Sequence, residues 1–263
     1  MSTYDLPDEL QVSVDGPLRL ITLNRPEQLN ATNHALHAGL AALFPQLDAD
    51  EEARAAVITG AGRAFSAGGD FNYIDELSKD AALRSRTLAH GRQIVTGMVG
   101  CRVPIIAAVN GPAVGLGCSL VALSDIVFMA ESAHLADPHV LLGLVAADGG
   151  PVVWPMLTSL QLAKEYALTG ERIPAQRAAD IGLVNHVCAD GEVLHQATAC
   201  AQKIAKLPKG AVEDTKRVIN IQMERAVLAA LDFALAAEDR SFATPELRAN
   251  IDRMLDPEGN KRS

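Results

Sequence analysis

Apolar and polar residues alternate along residues 10–14 and again along 18–23, with Asp15-Gly16-Pro17 between them, a pattern that predicts an antiparallel hairpin. Helical spacing then covers residues 35–47. A short strand that reads as buried over 55–59 runs into the loop 60–70, GAGRAFSAGGD. A second helical stretch spans 81–98, and residues 103–124, VPIIAAVNGPAVGLGCSLVALS, read as a buried strand, a glycine-bearing turn and a buried helix in succession. Another strand is expected at 125–129. From residue 161 onward the pattern is helical apart from an extended piece at 183–187, with alanine-rich amphipathic runs at 192–206 and 224–238. The pattern predicts an α/β core over residues 1–190 and a helical C-terminal region over 191–263. Phe233, Leu235, Phe242 and Leu247 in that region are offered either to a partner chain or to the chain's own core.

The run 103–124 is uncharged, yet Asn110-Gly111-Pro112 cuts it into pieces too short to cross a bilayer. Gly115 and Gly117 leave the backbone bare where the strand hands over to the helix, and the loop 60–70 is a second glycine-rich turn after a buried strand. If the two strands are neighbours, their turns converge. Two fixed backbone N–H donors then form an oxyanion hole, which lowers the barrier to charge development on a carbonyl oxygen by about 3 kcal/mol per donor. Either turn alone reads as no more than a tight turn.

Composition narrows the partners. The 263 residues are 49% apolar and carry a net charge of −9, which argues against a broad nucleic-acid footprint or a membrane-surface protein. The acidic start MSTYDLPDEL lacks the features of a signal peptide, and Cys101, Cys118, Cys188 and Cys200 show no paired spacing. A cytoplasmic protein with reduced thiols is expected.

Four segments carry a resemblance: residues 23–31, LNRPEQLNA; 64–70, AFSAGGD; 107–118, AAVNGPAVGLGC; and Ser124-Asp125-Ile126. In order and spacing they resemble the enoyl-CoA hydratase/isomerase (crotonase) family, and the likeness continues through Leu168-Thr169-Gly170, residues 178–184 and the late helices. The resemblance implies a crotonase-like spiral of ββα units with a helical trimerisation region, assembled as a homotrimer or homohexamer. It implies an acyl-CoA thioester as substrate, with no cofactor and no metal. The oxyanion-hole donors would be the N–H groups of Gly69 and Leu116. Ala67 would meet the adenine end of CoA and Arg25 its pantetheine and phosphates, with Asp70, Ser119 and Glu238 completing the substrate-binding set.

The chain departs from the hydratase pattern at both catalytic glutamates: Ser119 stands at the first position and His139 at the second. Hydration needs a base for water and an acid for the α-carbon, and an unassisted serine is no base at neutral pH. His139 and Asp148 are the candidate replacements. The stretch 139–155, HVLLGLVAADGGPVVWP, also resembles a family branch that cleaves carbon–carbon bonds in β-diketones, in which a histidine and an aspartate at this separation act with a helical glutamate; Glu238 lies at the matching distance. Against these roles stand plainer ones. Asp148 before Gly149-Gly150-Pro151 reads equally as a helix cap, Ser119 as a small packing residue, and Glu238 beside Asp239 and Arg240 as a solvated acid. His34 and His37 share a helix face without a ligand motif around them. Three functions are therefore carried forward: an acyl-CoA lyase or isomerase, a β-diketone hydrolase, and a non-catalytic acyl-CoA binder. A dinucleotide site on Gly111, Gly115 and Gly117 has the wrong spacing.

Overall fold

The computed structural model describes residues 4–255. The predicted hairpin is present as β1 (Leu10–Asp15) and β2 (Leu18–Leu23), paired in antiparallel register from Leu10↔Leu23 to Asp15↔Leu18. Asn33 caps α1 (His34–Ala49) by accepting a hydrogen bond from the Leu36 N–H. Next come β3 (Ala55–Gly60), α2 (Phe71–Lys79), α3 (Ala81–Gly100) and β4 (Ile105–Val109). The junction read from the sequence resolves into β5 (Ala113–Val114) and α4 (Leu116–Ala122), followed by β6 (Ile126–Ala130), β7 (His134–Ala136), α5 (His139–Leu142) and α6 (Gly150–Leu157). The chain continues through α7 (Leu160–Thr169), β8 (Ile173–Pro174), α8 (Ala175–Asp180), β9 (His186–Cys188), α9 (Val193–Ala205), α10 (Lys209–Ser241) and α11 (Pro245–Leu255).

Among the described residues the strands form a large sheet in the order β1-β2-β3-β4-β6-β9 and a small one in the order β5-β7-β8. Beyond the hairpin, the large sheet is parallel. Every residue of β3 and β4 is buried, as expected of parallel strands covered on both faces. The spiral follows from how the chain alternates between sheets. It runs through β4, steps across to β5 and returns by α4, then repeats with β6, β7 and α5. Earlier turns have the same layout with single rungs, Thr32↔Gly69 and Ser66↔Ala113, in place of a full strand.

Two elements depart from the sequence pattern. Helix α2 occupies residues to which the sequence pattern assigns no element, and Asp70 and Asp80 each cap a helix start: Asp70 accepts from the Asn72 N–H, and Asp80 from Ala82 and Leu83. Helix α10 is far longer than its amphipathic stretch 224–238. Its first half is anchored by polar bonds: Lys216 Nζ lies 2.8 Å from the Val103 carbonyl oxygen and 2.7 Å from Asp125, and the Asn220 amide donates to Val99 O at 2.8 Å.

The helical tail docks on its own chain. Helix α10 packs against α3 and α6, and α11 against α2 and α5. Of the four residues offered to a partner or to the core, Leu235, Phe242 and Leu247 are buried within the chain, and Phe233 is 73% exposed. Phe242 and Leu247 join Tyr73, Ile74, Leu77, Leu144 and Ile251 in an apolar cluster separate from the main core. Residues 256–263 of the predicted C-terminal region lie outside the described residues. The four cysteines are free, and no helix among the described residues is long and apolar enough to cross a membrane.

Candidate active site

The two glycine-rich turns converge. The Val114 N–H donates to Ser66 O, the Gly115 N–H to Ala136 O, and the Thr32 N–H to Gly68 O, which ties loop 60–70, β5 and β7 into one frame. Ser66 works as a pin, donating its hydroxyl to Asn30 O at 2.9 Å and accepting from the Gly68 N–H. Contact here is too close for side chains: a Cβ on Gly117 would stand 2.7 Å from that of Ser66. Gly68 has φ +91, and a Cβ there would approach Val114 O to 3.2 Å. Within this frame the N–H groups of Gly69 and Leu116 have no hydrogen-bond acceptor among the described residues, and both residues line one cavity of about 280 Å³. Unpaired backbone donors at a cavity wall are what an oxyanion hole requires.

The same cavity is lined by Ala67, His139, Asp148 and Glu238. His139 opens α5 at the corner where β7 ends. Its Nδ1 lies 2.5 Å from Asp137 Oδ1, and its Nε2 lies 3.8 Å from Asp148 Oδ2. Burial opposes charge on the imidazole, but Asp137 and then Asp148 overcome it and push the His139 pKa up to about 10. Asp137 is 2% exposed; burial disfavours its charge, and the partner His139 outweighs that and holds it below the usual carboxylate range. Asp148 is shifted the other way, mainly by burial, with the Asp137 charge adding to the rise. Burial likewise pushes Glu238 up to about 8. At neutral pH the site thus holds an imidazolium clamped by an ionised Asp137, facing two carboxyl groups that keep protons more tightly than usual.

Three plainer readings give way. Asp148 does not cap α6, whose N-cap is Gly149 with no side-chain bond; its Oδ1 instead accepts from the Ser119 hydroxyl at 2.7 Å. Ser119 is more than packing, since its oxygen also accepts from the Gly150 N–H at 3.1 Å and so fixes both Asp148 and the start of α6. Glu238 is not a solvated acid but half-buried at the cavity wall. Arg25 and Asp70 are not among the described residues that line the cavity: the guanidinium binds Asp70 at 3.2 Å and the Ala31 carbonyl. Sequence reasoning passed over Asp137, although it stands two residues before His139. It also passed over the cavity wall contributed by α2. One carboxylate or imidazole atom from each of Asp137, His139 and Asp148 lies within 4.8 Å of the others, a spacing compatible with a metal ion, but Asp137 already occupies His139 Nδ1.

Comparison with known proteins gives concordant results. The enoyl-CoA hydratase/isomerase family model matches residues 15–255. A solved enoyl-CoA hydratase/isomerase from Mycobacterium paratuberculosis superposes with a TM-score of 0.93 at 64% identity, covering 95% of this chain and 100% of that one. The 2,3-dehydroadipyl-CoA hydratase of Escherichia coli (strain K12) is 36% identical over 237 residues, 90% of this chain and 89% of the relative. The mitochondrial enoyl-CoA hydratase of Pongo abelii is 36% identical over 205 residues, 78% of this chain and 69% of the relative.

Proposed function

Because the chain belongs to the enoyl-CoA hydratase/isomerase family, we propose that it acts on an acyl-CoA thioester through an enolate held by the Gly69 and Leu116 N–H groups, with Asp148 as base and His139 as acid. The observation that carries this reading is the meeting of those two unpaired donors with the His139–Asp148 pair on one cavity. Asp148 removes a proton from the α-carbon, or from a water whose oxygen adds to the β-carbon; the thioester oxygen takes the developing charge, His139 delivers a proton to carbon, and the proton on Asp148 then passes to His139 to restore the pair. A carboxylate whose pKa is raised is a stronger base than an ordinary one, and an imidazolium is the natural donor beside it. The backbone at Ala67 and the Arg25–Asp70 pair would flank the CoA moiety. The exposed apolar residues Leu228 and Phe233 on α10 support assembly as a homotrimer or homohexamer, which sedimentation measures directly.

The test is a panel of enoyl-CoA and β-ketoacyl-CoA thioesters. Turnover is expected, with Asp148→Asn slowing it by about 10²–10⁴-fold while thioester binding persists. Absence of both turnover and thioester binding would overturn the reading. Tight binding without turnover across the panel would make the protein a non-catalytic acyl-CoA binder.

A second reading has its own support, the convergence of Glu238 with His139 and Asp148 on the cavity wall. In it the substrate is a β-diketone without CoA. Water adds its hydroxyl to one carbonyl carbon, and the carbon–carbon bond breaks with its electron pair passing to the other carbonyl as an enolate. The proton released from the water ends on the α-carbon. Diketone cleavage that survives intact in Asp148→Asn would exclude this mechanism.

A further inference from the structure

The wall of the cavity formed by α1, α2 and α3 carries polar groups that the proposed reaction does not use. His37 lines the cavity from α1 and is only 9% exposed. Its Nδ1 is sealed in the protein without a hydrogen-bond partner, and Nε2 has none among the described residues either. Buried polar atoms are nearly always paired, so an unpaired imidazole facing a cavity has a vacancy in its bonding. Of its neighbours, the Tyr73 hydroxyl is already engaged, whereas His90 Nδ1 is likewise buried without a hydrogen-bond partner. The Tyr73 hydroxyl lies 2.5 Å from the Thr87 hydroxyl and 3.3 Å from His34 Nδ1. Helix α3 brings the His90 ring to 6.0 Å from His37 and 6.2 Å from His34.

The chemistry of this vacancy can be specified. Burial, and then the neighbouring His90 and His34, push the His37 pKa down to about 3, so the ring is neutral at physiological pH. A neutral imidazole has one N–H and one bare nitrogen, and a sealed, unpaired N–H is rarer in proteins than an under-used acceptor. The proton therefore belongs on Nε2, the nitrogen left for a bound molecule. Its complement is an uncharged acceptor. An anionic group finds little here: Arg84 is the one Lys or Arg side chain among the described residues lining the cavity, and it is already bound to Asp239 at 2.7 Å and to the Leu77 carbonyl at 2.8 Å.

We propose that His37 is a specificity-determining residue that receives, by an N–H···O hydrogen bond, a second carbonyl oxygen on the substrate, distinct from the one held by Gly69 and Leu116. The ligand class is an acyl thioester or ketone carrying a further uncharged oxo group. A plain alkyl chain would leave the imidazole desolvated and unpaired. The inference rests on the reading of this cavity as a carbonyl site.

The experiment uses the full chain and two pairs of unreactive ligands, one pair of saturated acyl-CoA thioesters and one pair of simple ketones. Within each pair the members have equal length and differ only in an oxo group or a methylene at the far end. Calorimetric titration is expected to show the oxo member of the accepted pair binding about tenfold more tightly, the worth of one buried hydrogen bond. His37→Leu removes the preference, and His37→Gln, which keeps an N–H donor, retains part of it. The parent protein supplies an independent readout, since the His37 ring ¹⁵N resonances should move with the oxo ligand and not with its methylene counterpart. Equal affinities within each pair, a preference that survives His37→Leu, or tighter binding of a carboxyl-ended analogue would each overturn the proposal and leave the carbonyl-site reading standing. Failure of all four ligands to bind would overturn both.

Discussion

His139 sits between two aspartates that differ in what they do with its proton. Asp137 holds Nδ1 at hydrogen-bond distance with its pKa held low by His139, whereas Asp148 stands 3.8 Å from Nε2 with its pKa raised, mainly by burial. Asp137→Asn keeps the shape and removes the charge, so the His139 pKa should fall from about 10 toward the ordinary 6.5. The expected outcome is a matching downward move of the alkaline limb of the pH–rate profile, checked by NMR titration of the His139 ring; a purely structural role for Asp137 would leave that limb in place. Glu238 gives a second pH-dependent prediction. Its pKa is raised in the folded state from 4.5 to about 8, so the fold favours the protonated form, and stability is lost as pH rises between those values. Glu238→Gln cannot ionise. It should match the parent in urea denaturation at the acid end of this window and exceed it at the alkaline end. His139 and Asp148 were legible from the family register, but Asp137 was not. Residues two apart diverge around a helix and, though on one face of a strand, stand a full pleat apart there, so neither pattern announces a contact; the pair forms where the chain turns a corner at Pro138 between β7 and α5.

At the level of elements, the proposed oxyanion hole depends on where α4 begins. Leu116 is its first residue, and its N–H is one of those a helix leaves unpaired at its start. Proline is tolerated at that position because its ring fits the first turn and the helix needs no N–H there. Leu116→Pro therefore deletes one donor while keeping the start of the helix, and because Leu116 is buried in the core its kcat is compared with that of Leu116→Ala, which also loses the side chain: it should lie about 10²–10³-fold lower. Leu116→Ala keeps the donor and should keep most of the rate. The long strands and helices were readable because their apolar periodicity persists over many residues. Strands β7 and β8, of three and two residues, are too short to show a period, and they exist because β5 offers an edge. Helix α2 was hidden for a different reason. Asp80 ends it and caps the next helix, so two amphipathic faces adjoin with no intervening loop signal.

For the whole molecule, the decisive arrangement is that the tail closes the cavity of its own chain. Phe242 follows α10 and Met254 lies in the last turn of α11; both line the cavity, while Leu247 is fully enclosed with Tyr73 and Ile251 in the second apolar cluster. Leu247→Ala should cost about 2–5 kcal/mol in chemical denaturation, by lost burial and the cavity left behind. Because this cluster is separate from the main core, amide exchange should accelerate in α2 and α11 before it does in β3 and β4. The division between core and tail was evident in the change of periodicity. Which way the tail folds was not, since Leu235, Phe242 and Leu247 suit a partner's surface as well as their own chain's. The frame that pins Gly69 to Leu116 has a different kind of consequence. It is built from residues 30–32, 66–69 and 113–117, where even one added methyl on Gly117 collides with Ser66. The proton-handling groups come from residues 137–148 and from α10, outside that frame. Mutation can thus exchange the proton-handling groups one at a time while the close-packed glycine frame is inherited unchanged, so, on the proposed role of that frame, descendants of one ancestral scaffold can diverge in reaction while keeping a place for an enolate.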